Sequence, residues 1–203
     1  MPRHTVRVAA GVLAVLGLLT ACGGGGKAGT ATPPVNSSAP SSSGGTNVDP
    51  SLKVASPLPT QALANDPCTA LGDSDATTIG FAAPGKPFGA DGLKACQWIS
   101  ANYPENSMTI APLTPKSDGI SGIYANKNQY AYFEMAKVND YPAVFANRSD
   151  NRSIGGCTLW VGVTDQLVVN VSPQIGTGQY HTDPCGLAQK MATAMVNHLK
   201  TTS

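Results

Sequence analysis

The spacing of apolar side chains divides the chain into stretches of different character. Val8 to Leu19 is almost wholly apolar, and residues 23 to about 60 hold hardly a large apolar side chain. Short alternating runs follow, and the chain closes on a helical period. Alternation with period two marks strands whose two faces meet different surroundings. "KACQWIS" puts Cys96 and Trp98 on one face, which makes Trp98 a core residue, and "SMTIAPL" does the same with Met108 and Ile110. "QYAYFEMAKV" and "YPAVFAN" are aromatic and β-branched, with "NDYP" as the bend between them. "CTLWVGV" sets Cys157, Leu159, Val161 and Val163 on one side, and "TDQ" turns it into "LVVNVS" as a hairpin. "GISGIYANKNQ" reads as a short helix with a loop.

Two helix starts share one device. Asp66 and Asp183 can each cap a helix whose first residue is a proline, a position where the missing N–H costs nothing. The first opens "PCTALG", stopped by Gly72, and Asp73 or Ser74 then caps "DATTIG", ended by Gly80. The second opens "PCGLAQKMATAMVNHLK", where Leu187, Met191, Met195 and Leu199 form one apolar stripe. The expected fold class is α+β: an antiparallel sheet of about five to six strands, with N-terminal and C-terminal helices packed on one face.

The apolar run near the start gives the compartment. Arg3 and Arg7 precede it without an acid, and it is short of the roughly 20 residues a spanning helix needs. That is the pattern of an export signal. It ends in Leu19-Thr20-Ala21-Cys22, which resembles the lipobox of bacterial lipoproteins. The resemblance implies cleavage before Cys22, a diacylglyceryl group on its thiol, and anchorage on the outer face of the cell membrane. Two acyl chains suffice for stable anchoring at roughly 0.8 kcal/mol per buried CH₂. The expected organisation is therefore a signal peptide over 1–21, lipidated Cys22 with a Gly/Ser/Pro/Thr tether over 22–62, and one α+β domain over 63–203. The tether's composition buries too little surface to order its backbone, and about 40 such residues reach roughly 35 Å.

Five cysteines fit this picture. With Cys22 taken by lipid, Cys68, Cys96, Cys157 and Cys185 remain, an even set in an exported protein. The shorter loops favour Cys68–Cys96 with Cys157–Cys185; the nested alternative pairs Cys68 with Cys185 and Cys96 with Cys157. Loss of Arg3 and Arg7 takes 13 basic and 12 acidic residues to 11 and 12. No basic run offers a surface to nucleic acid.

Catalytic and metal-binding patterns are lacking. There is no Gly-x-Ser-x-Gly, HExxH, Walker loop, GxGxxG or CxxC, so neither a metal nor a cofactor is expected. His181 falls in a loop, and His198 near a helix end, where a cation is favoured by the dipole. The only glutamates, Glu105 and Glu134, lie in a turn and a strand and form no evident pair.

Binding is the better expectation. Trp160 falls opposite Cys157, Leu159 and Val161, together with Thr158. If helices cover only the other side of the sheet, Trp160 and Thr158, joined by Tyr130 and Tyr132, make a contact face for a protein or glycan partner.

The order of motifs also carries a family likeness. "DPC" with "LG" near it, "CQW", "YPAVF", "CTLWVGV" and "DPCGLAQKMATAMVNHL" closing the chain resemble the actinobacterial lipoproteins catalogued as domain of unknown function 3558. The likeness covers the folded part, the lipobox and the tether, and it supplies no catalytic residues. The expected function is that of a membrane-anchored, non-enzymatic binding or accessory module of the cell envelope. The alternatives are a carrier of an apolar or lipid ligand, held in a sheet–helix cavity lined by Met191, Met195 and Phe133, and an enzyme of unrecognised type.

Overall fold

The computed structural model describes residues 49–90, 92–114 and 118–202. Cys22 and the signal segment lie outside these. Seven strands form one antiparallel sheet: β1 (Lys86–Phe88), β2 (Ala95–Ile99), β3 (Ser107–Pro112), β4 (Tyr132–Val138), β5 (Tyr141–Asn147), β6 (Leu159–Gly162) and β7 (Val168–Gln174), in the order β1-β2-β3-β7-β6-β5-β4. Four α-helices accompany it: α1 (Gln61–Asn65), α2 (Asp73–Ile79), α3 (Gly119–Ala125) and α4 (Pro184–Thr201).

The α+β class and the antiparallel sheet are as the alternation predicts. The strand count exceeds the expectation of five to six because β1 is three residues, all exposed, with a proline at its centre. So short a polar edge strand leaves no period to read.

One face of the sheet carries the main core. Met108, Ile110, Leu159, Val161, Val169 and Val171 meet Leu187, Met191, Met195 and Leu199 of α4, and all are essentially inaccessible. Leu63 of α1 and Ile79 of α2 join the same cluster. Trp98 is 2% exposed within it. The terminal helices therefore share one face, but α3 does not follow them. Ile120 and Ile123 pack with Leu52, Val144, Ala146 and Val168 on the opposite face. This is permitted by Gly162, where a Cβ would sit 3.0 Å from Ile120 Cγ2.

The two Asp-Pro caps hold as read, but neither Asp73 nor Ser74 caps the next helix: α2 begins at Asp73, with Gly72 in the cap position and no side-chain cap bond. Asp183 accepts from Gly186 N at 2.9 Å, and Asp66 accepts from Cys68 N at 3.0 Å. The element after Asp66 is a single 3-10 turn, Pro67–Ala70, rather than a longer helix. Both shorter cysteine pairings form, Cys68–Cys96 and Cys157–Cys185, each spanning 28 positions. Cys157 sits just ahead of β6 rather than within it.

The packed part of the chain begins well before residue 63. Leu52, Val54 and Leu58 are buried, Val54 N donates to Asp165 Oδ1, and Leu58 N donates to Val163 O. Tyr141 donates its hydroxyl proton to Ser56 O at 2.8 Å. These isolated apolar residues lie among Pro, Ser and Ala, so composition alone assigns them to the tether. They bring the chain in at the end of the sheet that holds the β6–β7 and β4–β5 turns.

Candidate functional site

The opposite end of the sheet holds a cleft of about 320 Å³. Three segments build it. The end of α2 supplies Ile79, followed by Gly80 and Phe81; the β2–β3 connection supplies Ser100, Asn102, Tyr103 and Asn106; and the chain leaving β7 supplies Ile175 and Thr177 to Tyr180. The pairing of β3 with β7 brings the last two segments side by side.

Asn106 fixes the junction. It is 4% exposed. Its Oδ1 accepts from Gly176 N at 2.8 Å and Thr177 N at 3.2 Å, and its Nδ2 donates to Thr177 O at 2.9 Å. One buried amide thus satisfies three backbone groups that no strand can pair. Gly178 follows at φ +88°, and a Cβ there would come within 3.2 Å of the Tyr103 ring. The backbone angle favours glycine there, the lack of a Cβ lets the ring come close, and Tyr103 lies over the bare backbone while remaining 45% exposed.

The floor is apolar: Ile79, Phe81 and Ile175 are each less than 10% exposed. The walls are hydroxyls, amides and two tyrosines, and no Asp, Glu, His, Lys or Arg lines them. Two charges approach from outside. Glu105 Oε1 accepts from Thr177 Oγ1 at 2.7 Å, a bond that holds the carboxyl below its ordinary pKa. Lys190 Nζ donates to the Tyr180 oxygen at 2.9 Å. The Thr177 proton is therefore committed, leaving its oxygen to accept. The Tyr180 oxygen accepts from lysine, leaving its own proton to donate.

The residues expected to make a contact face divide between the two sides of the sheet. Trp160 is half-buried among Tyr130, Phe133 and Tyr124 beside α3, and its Nε1 donates to Ala146 O at 2.9 Å. Thr158 is 6% exposed, and its hydroxyl accepts from Asn147 Nδ2 and Ser172 Oγ. Tyr132 lies on the other side, paired with Asn147, its hydroxyl accepting from Thr158 N. Burial raises its pKa, and the Arg152 guanidinium lies 4.2 Å over its ring. Tyr130 and Trp160 thus belong together, Thr158 is enclosed, and Tyr132 is separated from them. The reason is that α3 covers the face expected to be open.

Met191 and Met195 are fully buried in the main core, while Phe133 packs with the α3 cluster. These three cannot line one cavity. Among the described residues, no group of three or more His, Cys, Asp or Glu is placed to hold a metal ion. His198 Nδ1 lies 3.6 Å from Asp75 Oδ2, so it joins α4 to α2 rather than standing in a cleft.

A family profile described as "Protein of unknown function (DUF3558)" matches residues 17–198. The chain belongs to DUF3558. The match runs from the end of the first apolar run through nearly all of α4, so it takes in both disulfides and every residue of the cleft. No curated protein and no solved structure is significantly similar to this DUF3558 chain. Among the described residues no helix is long and apolar enough to cross a membrane.

The cleft residues of this DUF3558 protein were not among those the sequence singles out. Only Glu105, beside the cleft, draws notice, and that as a turn residue. The signal that unites them is the adjacency of β3 and β7, strands separated by more than fifty residues of sequence. Strand order is not written in local alternation.

Proposed function

We propose that this protein is a lipid-anchored module of the cell envelope that binds, without chemistry, a ligand or partner at the cleft between the β2–β3 connection and the β7–α4 connection. The observation that carries this reading is the cleft's position. It opens at the end of the sheet away from where residues 49–58 enter. Seven residues of β7 separate the two ends, roughly 20 Å of extended chain. Entry at the opposite end leaves the mouth of the cleft clear of residues 49–58 and open to a ligand. The ordered floor and exposed aromatic wall suit recognition, and the lining offers no nucleophile–base pair for acyl or glycosyl transfer.

The test is non-reducing mass spectrometry of the protein from its own membranes, with a mild crosslink applied before extraction. The expected result is a diacylglyceryl group on Cys22, both disulfides intact, and a bound molecule or neighbour that is lost in Tyr103→Ala. An unmodified Cys22 on a freely released chain would refute the anchor. Retention of the bound species in Tyr103→Ala would refute the cleft.

A further inference from the structure

We propose that the cleft recognises an uncharged saccharide. This rests on the binding-module reading above and gives the class of its ligand. The argument is one of complementarity. No charged side chain lines the cleft, and Lys190 and Glu105 behind its walls are each engaged by a lining hydroxyl, so a carboxylate, phosphate or ammonium would lose hydration without a counter-charge in direct contact. A neutral molecule dense in hydroxyls incurs no such cost. Each sugar hydroxyl both donates and accepts, and the cleft offers each role at a fixed place: the Thr177 oxygen accepts, and the Tyr180 proton donates. The exposed amides of Asn102 and Gln179 add paired donor and acceptor groups. The apolar face of a pyranose ring requires a flat carbon surface, which Tyr103, an exposed residue lying over Gly178, provides with its ring. The volume is near the lower limit of ligand sites, about 300 Å³, which fits a short saccharide or a chain end.

A peptide is the competing class. It would be recognised through an open strand edge or a charged terminus. The cleft is walled by connections and holds no ion for a terminus.

Saturation-transfer NMR on the full-length protein in detergent gives the test. The probes are neutral hexose and N-acetylhexosamine disaccharides, their uronic-acid and phosphorylated counterparts, and uncharged tetrapeptides. Saturation should reach the neutral sugars, strongest on the ring protons of one face, and fall at least about tenfold for the charged counterparts. Tyr103→Ala should weaken neutral-sugar binding about tenfold or more, and Tyr180→Phe should weaken it while leaving the ring contact. Thermal unfolding of both variants checks that the fold is intact; Asn102→Ala, an exposed wall position, supplies a third variant. Binding of peptides or charged sugars that Tyr103→Ala abolishes would overturn the saccharide class while sustaining the cleft. Neutral-sugar binding untouched by all three variants would overturn the cleft. No saturation of any sugar would overturn the class outright.

Discussion

Asn106 shows how one side chain can set a site. Its amide engages Gly176 and Thr177 from the neighbouring connection. Asn106→Ala would leave those backbone groups without partners in a nearly sealed position. The expected loss is about 1–3 kcal/mol of stability, read by denaturant unfolding. The 176–178 segment should also show faster amide exchange than the rest of the domain. Asp150 acts at the same scale but on the surface. Arg152 hydrogen-bonds its carboxylate through Nε and Nη2, and this holds the pKa at about 2 against an ordinary 3.8. A depressed carboxyl pKa stabilises the fold above the unfolded value and loses that contribution as pH falls through the folded one. Asp150→Asn should therefore flatten the stability profile between about pH 3.8 and about pH 2. Because both partners are solvent-accessible, 1 M salt should shrink the difference. A profile identical to the parent's would mean the pair contributes nothing.

The disulfides decide how the elements are held. Each closes an interval of 28 positions and joins the start of a helix or turn to the sheet region. Chain-entropy arithmetic gives about 3–4 kcal/mol for a loop of that length. Reduction should therefore lower the melting temperature in two comparable steps when Cys68→Ser/Cys96→Ser and Cys157→Ser/Cys185→Ser are compared by calorimetry. The helix α3 depends on a close approach instead. Gly162→Leu would drive a side chain into Ile120 and Pro142. It should cost roughly 1–3 kcal/mol and shift Trp160 fluorescence as α3 lifts. Both bridges could be anticipated from spacing, and the paired Asp-Pro-Cys marks from capping rules. Six of the seven strands were legible because each lies in a run of apolar alternation or of aromatic and β-branched residues bounded by turn signals. Three features were not. A three-residue strand has no period, Leu52, Val54 and Leu58 are single apolar residues in polar company, and the docking of α3 on the second face depends on a close approach that Gly162 permits. That helix covers the face expected to be open.

At the scale of the whole molecule, the proposed anchor at Cys22 can be tested apart from the folded domain. Cys22→Ser should move the protein from the membrane fraction into the soluble one without changing the melting temperature of the domain, as fractionation and calorimetry on the same preparation would show. A near-neutral formal charge of +1 for the full sequence leaves little for polyanions to grip, consistent with a neutral ligand. The separation of entry segment and cleft has a mechanical consequence. If the ligand belongs to something fixed, such as a wall polymer, and the lipid belongs to the membrane, any relative movement of the two pulls on the domain from opposite ends. The line of tension then runs lengthwise along β3 and β7, the central strands. Their hydrogen bonds lie across that line and are loaded in shear, many at once, rather than unzipped singly from an edge. Such a domain would resist stretching far better along this axis than across it.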